Sequence, residues 1–163
     1  MKNDAAKLRS FKGESSIYQW LKVVAIRYFI DKRDRMIDDR SKDALYEGIK
    51  AARAGSRIGD ISSAVQRIVE AAGFSVVRQY VGHGIGTQLH EAPEVPNFGT
   101  AGRGIRLLPG MTLAIEPMVN IGGYDVKVLP DGWTVKTKDG SLSAHFEHTV
   151  VITSDGPKIM TIV

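Results

Sequence analysis

The sequence predicts an α+β fold in which helices come first and mostly antiparallel strands follow. Up to about residue 72, apolar side chains recur at spacings of three and four, which is typical of amphipathic helices. From residue 74 onward, β-branched and aromatic runs alternate with glycine-containing turns, which indicates strands. The 163 residues are 43% hydrophobic and 25% charged, as expected for one globular domain. The lack of cysteine excludes disulfides, thiolate metal sites and a cysteine nucleophile.

The first 40 residues carry all of the net charge. Residues 1–40 contain ten basic and six acidic side chains, whereas residues 41–163 contain twelve of each, which predicts a boundary near residue 40. Within this segment a helix is expected over residues 16–36, and the mixed-charge run 31–40 either continues it or forms a linker. Its apolar stripe consists of Ile17, Trp20, Leu21, Val24 and Tyr28. The basic segment is either a solvated helix or an arm that contacts nucleic acid.

Two more helices are expected before the strands. We expect Ser41 to cap one, which ends before Gly55, and Asp60 to cap the other, which ends at Gly73. Their apolar stripes include Leu45, Ile49, Ile61, Val65 and Val69.

The second half of the chain predicts strands on either side of a long loop. A first strand is expected over residues 74–81. Residues 82–110 then hold seven glycines and three prolines, which predicts an irregular segment of the kind that often carries function. The later strands are expected at 112–120, 124–129, 133–137, 145–153 and 158–163.

Ionisable groups occur in this half at places where the local pattern does not explain them. His83 lies between two glycines, which let a backbone approach closely, and His90 follows seven residues later. Glu116 has apolar neighbours, and a buried carboxylate must be neutral, paired or bound to a metal. Glu147 shares a strand face with His145. Each has an ordinary alternative: a histidine in a turn, a surface pair, a paired buried acid or a fraying strand end.

Taken together, one imidazole and two carboxylates from separate segments form a mixed nitrogen and oxygen donor set. Such a set suits Zn, Mn, Fe(II) or Co. A carboxylate-rich site that holds two ions can activate a water molecule for hydrolysis. His90 is then a candidate for binding a substrate carbonyl or moving a proton beside the metal.

Three long motifs follow one another in this half: YVGHGIGTQLHEAPEVPNFG (80–99), LLPGMTLAIEPMV (107–119) and DGWTVKTKDGSLSAHFEHTVVIT (131–153). With the helices before them, residues 41–163 closely resemble the C-terminal half of type I methionine aminopeptidases. The resemblance implies the α+β pita-bread fold, built from two pseudo-symmetric halves, with an extra N-terminal helix here. It also implies a cytoplasmic hydrolase that removes the initiator methionine from nascent proteins near the ribosome, with divalent cofactors that are normally two Co, Mn, Fe or Zn ions.

By that resemblance His83, Glu116 and Glu147 are metal ligands, with Glu147 shared by both ions. His90 resembles a residue that assists catalysis and binds substrate beside the scissile peptide, and Trp133 resembles an aromatic residue that lines the substrate pocket. The family uses five protein ligands. Two of them are aspartates from the N-terminal half, and these two have no counterpart here. We therefore expect impaired activity in this chain alone.

Residues 1–40 look unlike that family. Residues 8–35 weakly resemble a region of bacterial sigma factors, so a truncated or chimeric product with a nucleic-acid-binding arm is one alternative. A non-catalytic module that binds peptides or partners is another. We also expect self-association through an exposed sheet edge and an apolar face around Ile115, Met118 and Val119. No apolar run suits a membrane span or a secretory signal, which favours the cytoplasm.

Overall fold

The computed structural model describes residues 17–162, and for residues 17–31 and Arg33 it describes the backbone alone. The chain divides into two compact units, residues 1–36 and residues 37–163. Much of the predicted basic segment and the side chains of its apolar stripe therefore lie outside the described residues, and the separate origin of residues 1–40 stays a prediction. Within the described range, the mixture of helices and sheets confirms the α+β class. No helix in that range combines the length and apolarity that a membrane crossing needs.

One long helix, α1 (Ile17–Ala51), replaces the two helices expected before residue 52. The prediction that Ser41 caps a second helix is wrong, because Ser41 lies inside α1, buried, with its hydroxyl 3.5 Å from the Ala144 carbonyl. Residues 31–47 contain neither glycine nor proline, and Arg40 pairs with Asp43 one turn later at 2.9 Å. The mixed-charge run therefore continues the helix.

The second helix, α2 (Ile58–Ala71), begins three residues earlier than expected. Arg57 occupies the N-cap position, so the prediction that Asp60 is the cap is wrong. Asp60 lies in the first turn, and its carboxylate accepts the Arg57 backbone N–H at 2.7 Å. Gly73 follows the end of α2 at φ 77°, as expected for a left-handed stop.

Among the described residues ten strands follow the helices. They are β1 (Ser75–Val76), β2 (Gly82–Ile85), β3 (Glu91–Val95), β4 (Thr112–Ile115), β5 (Met118–Asn120), β6 (Val126–Val128), β7 (Val135–Thr137), β8 (Ser143–His145), β9 (His148–Thr153) and β10 (Gly156–Ile159). They form an antiparallel five-stranded sheet in the order β10-β9-β4-β2-β3, a three-stranded sheet β1-β5-β8 and a two-stranded hairpin β6-β7.

The glycine-rich segment is more regular than its composition predicts, because residues 82–110 contain β2 and β3. Gly82 permits this arrangement: a Cβ there would collide with the Ala114 carbonyl of the neighbouring β4. The expected strand over 74–81 is correspondingly short, and only β1 is regular there.

Two expected strands are each interrupted, and they are interrupted at the same level. Glu116 and Pro117 separate β4 from β5, and Phe146 and Glu147 separate β8 from β9. Ile115 pairs with His148 in the larger sheet, and Met118 pairs with His145 in the smaller one. The β4–β5 segment and the β8–β9 segment therefore lie next to each other where they run between the five-stranded and the three-stranded sheet.

The core lies between the two helices and the two larger sheets. Ile115 packs with Leu45, Ile49 and Ile61, and Val119 packs with Val65 in a second cluster. Ile115 and Val119 are fully buried, so the expectation of a bare apolar face is wrong for these two residues, whereas Met118 stays partly exposed. The C-terminal part of α1 and α2 cover that face instead.

Candidate metal site and substrate cleft

Glu116 lies at the interruption between β4 and β5, with a buried residue on either side. Pro117 has no N–H to continue the ladder, and the Glu116 carbonyl accepts the side-chain amide of Asn97 at 3.1 Å. The Glu116 side chain is only 15% exposed. The strand break therefore fixes the backbone of a carboxylate that is held largely away from water.

Each oxygen of the Glu116 carboxylate has one imidazole ring close to it. His83 Nε2 is 3.6 Å from Oε1, and His145 Nε2 is 3.4 Å from Oε2. His83 stands on β2, where it pairs with Ala114 of β4, and His145 ends β8. Two strands and the break between β4 and β5 thus bring nitrogen and oxygen donors to one point, and the predicted site residues His83 and Glu116 lie together there.

The orientation of His83 suits a cation. Its Nδ1 lies 2.9 Å from the Gly84 carbonyl oxygen, which only accepts, so Nδ1 carries the proton of this hydrogen bond. In the neutral ring Nε2 then presents a lone pair toward the Glu116 oxygen. Two acceptors face each other in this way when a proton or a metal ion lies between them. The residues present therefore fit a divalent metal.

Glu147 joins this group on the His145 side. One donor atom from each of Glu116, His145 and Glu147 lies within 4.8 Å of the others. His145 was not among the predicted site residues, although the strand face that it shares with Glu147 was the signal for it. His148 contacts Tyr46 Oη at 3.4 Å and Thr161 Oγ1 at 2.8 Å instead.

The carboxylates also act on the protonation of His145. The hydrogen bond to Glu116 raises the pKa of His145 above its ordinary value; partial burial opposes this, and the negative charges of Glu116 and Glu147 add to the increase.

His90 and Trp133 lie around the same centre. The His90 ring is 4.1 Å from the His83 ring, centroid to centroid, and is exposed. A cleft of about 600 Å³ opens here, lined by residues that include Tyr80, His83, His90, Glu116, Trp133 and His145. Trp133 is 88% exposed on one side of this cleft.

A second cavity of about 550 Å³ adjoins the cleft, because Tyr80, Met118, Val135 and His145 line both. The centre therefore lies beside a largely apolar channel that is open to solvent. Such a channel can receive an extended apolar side chain while polar groups contact the donor atoms at its edge.

Comparisons with known proteins agree with this geometry. The model of metallopeptidase family M24 matches residues 23–154. A methionine aminopeptidase of Clostridium perfringens is 58% identical over 123 residues, which are 76% of this chain and 49% of that protein. Methionine aminopeptidase 1 of Bacillus subtilis is 48% identical over 156 residues, which are 96% of this chain and 60% of that protein.

The crystal structure of a methionine aminopeptidase from Thermotoga maritima superposes with a TM-score of 0.79 at 50% identity, over 80% of this chain and 53% of that one. This chain spans about half the length of the curated relatives that it matches. The matched part is their C-terminal portion, and its architecture is that of the pita-bread aminopeptidases. The chain therefore belongs to metallopeptidase family M24.

Proposed function

We propose that this chain carries the metal-dependent site of an aminopeptidase that removes the N-terminal methionine from nascent proteins in the cytoplasm. The observation that carries the proposal is the position of Glu116 between two imidazoles and beside Glu147, at the edge of an apolar cleft. Support also comes from relatives named methionine aminopeptidase that are 58% and 48% identical to it.

In this proposal His83, Glu116 and Glu147 hold divalent ions of the Co, Mn, Fe or Zn class. A bound metal supplies an acidified water and polarises a carbonyl group. The break between β4 and β5 fixes the backbone of Glu116, and the Gly84 carbonyl fixes the ring of His83. Ligands that are held in this way lose little freedom when the ion binds.

The substrate's N-terminal residue occupies the cleft. Methionine is long, flexible and apolar, and Met118, Val135 and the Trp133 ring offer a matching surface. His90 lies at the edge of the cleft, beside His83, where it binds the peptide carbonyl or moves a proton.

The chain alone is expected to be a weak enzyme. It spans about half of its relatives, and two aspartate ligands implied by the resemblance have no counterpart in its sequence. Losing residues that only orient a metal ligand costs 10–100-fold in affinity, so losing ligands themselves costs at least that much. Self-association through the outer strands β3 and β10 of the larger sheet is proposed alongside, and size-exclusion chromatography over a range of concentrations tests it.

Cleavage of a Met-Ala-Ser peptide tests the function, with Co(II) or Mn(II) present or removed by chelation. We expect slow, metal-dependent release of methionine that Glu147→Ala abolishes. Glu70→Ala is the matched control, since Glu70 is an exposed carboxylate of α2 that does not line the cleft. Release that persists in Glu147→Ala, or that does not depend on metal, would contradict the proposal.

A further inference from the structure

The group formed by Glu116, His145 and Glu147 goes beyond the ligands that the resemblance implies, because it adds a second imidazole. Glu116 lies in the interruption between β4 and β5, His145 is the last residue of β8, and Glu147 lies in the interruption between β8 and β9. The strand pairing that joins Met118 to His145 holds the two interruptions side by side. The proximity of the three side chains is therefore a property of the sheet register.

The spacing of these atoms is close to that of ligands on one ion. Donor atoms about 2.1 Å from a tetrahedral metal lie about 3.4 Å from each other. His145 Nε2 and Glu116 Oε2 are 3.4 Å apart, and the whole group lies within 4.8 Å. Glu147 is exposed, so its carboxylate can cover the remaining distance by a change of rotamer.

We propose that Glu116, His145 and Glu147 bind one divalent cation in this chain, with His145 supplying the nitrogen ligand. The inference rests on the proposed function, since it takes Glu116 and Glu147 as metal ligands. Two carboxylates and a neutral imidazole carry two negative charges, which balance a divalent ion. The neutral imidazole of His145 offers the ion the lone pair of its Nε2, the atom that lies 3.4 Å from Glu116 Oε2.

This arrangement gives His145 a role that a structural histidine would not have. The next imidazole along the chain, His148, contacts Tyr46 and Thr161, and among the described residues it forms no ion pair with a carboxylate. His145 is 46% exposed, so its replacement disturbs no core packing. Three protein ligands leave coordination positions for water, as in catalytic rather than structural metal sites.

The experiment titrates Co(II) into the full chain and follows its visible absorption, with bound metal measured after equilibrium dialysis. Five variants are compared with the unchanged chain: His145→Gln, His145→Glu, His83→Gln, Glu116→Gln and the matched control His148→Gln. Circular dichroism checks that each variant is folded. We expect at least a tenfold weaker Kd for His145→Gln, an unchanged Kd for His148→Gln and recovery of most of the affinity in His145→Glu.

The outcomes separate this inference from the proposed function. Equal Kd values for His145→Gln and the unchanged chain overturn the inference. If His83→Gln then loses Co(II), the ligands assigned by resemblance stand without His145. If Glu116→Gln also binds Co(II) unchanged, the proposed function fails with the inference. Should His145→Gln not fold, His145→Asn takes its place: weaker Co(II) binding by the folded variant supports a ligand role, and unchanged binding overturns it.

Discussion

Gly48 lies where α1 crosses α2, and an alanine at this position should be tolerated only if Val65 is made smaller. A Cβ on Gly48 would lie 2.7 Å from Val65 Cγ2, and 3.5 Å and 3.6 Å from methyl carbons of Ile61 and Ile115. Contacts between carbon atoms are ordinarily about 3.5–4.0 Å. Val65 is fully buried, so it has no empty space into which to move.

The expected magnitudes follow from these contacts. Overpacking costs about 1–3 kcal/mol, and exchanging a helical glycine for alanine returns about 1 kcal/mol, so Gly48→Ala should destabilise by about 1 kcal/mol. Val65→Ala removes two buried methyl groups and should cost about 2 kcal/mol. In the double variant the clash is gone and the new methyl group fills part of the cavity. Its cost should therefore be about 1 kcal/mol rather than the sum of about 3 kcal/mol.

Urea denaturation of the four proteins measures these free energies of unfolding, with equal m-values as the check on the denatured state. The matched control pairs Gly48→Ala with Val69→Ala, because Val69 is equally buried and is not among the atoms nearest to Gly48. That pair should be additive. Additivity within about 0.5 kcal/mol for Gly48 and Val65 as well would refute the packing argument.

Two further predictions concern the cleft and an acidic turn. Trp133 is 88% exposed, so Trp133→Ala should change the free energy of unfolding by less than about 0.5 kcal/mol. Because Trp133 lines the cleft, the same change should weaken binding of a Met-Ala-Ser peptide. The control is Leu108→Ala: Leu108 is exposed and lies outside the cleft, so this change should leave both stability and peptide binding unaltered. Backbone N–H groups of Ser141 and Gly123 lower the pKa of Asp139 to about 2. Because the folded-state pKa lies below the unfolded value of about 3.9, this stabilisation is present above pH 4 and disappears as the pH falls toward 2. Asp139→Asn should therefore lower the thermal midpoint at pH 7 and match the unchanged chain near pH 2, and a gap that is constant with pH would contradict this.

The sequence was enough to predict helix ends that are set by a glycine and helix faces that are set by a stripe of apolar residues. Gly73 ends α2 because it adopts a positive φ, and Ile61 and Val65 of the predicted stripe are fully buried. The continuity of α1 was not predictable in the same way. Ser41 is a good cap in isolation, but the body of the protein covers it and Ala144 lies against its hydroxyl, so tertiary packing decides.

Glu116 could be picked out from the sequence because a carboxylate is unexpected between apolar neighbours. A carboxylate between Ile115 and Pro117 needs a partner, and two imidazoles lie within 3.6 Å of it. His145 was harder to predict, because its importance depends on which strand lies beside it. Spacing along the chain indicates only that His145 and Glu147 share a face, and the pairing with Met118 brings that face to Glu116.

The two interruptions explain how this part of the fold brings two carboxylates from different chain segments close together. In a continuous antiparallel ladder, the backbone of each strand is hydrogen-bonded to the neighbouring strands, and successive side chains alternate between the two faces of the sheet. Here the ladder resumes on both sides of the gap, with Ile115 paired to His148 and Met118 paired to His145. The residues between them are thus fixed at both ends but are not confined to one face. Glu116 and Glu147 both lie in this gap, so the register that joins the two sheets also sets the distance between the two carboxylates.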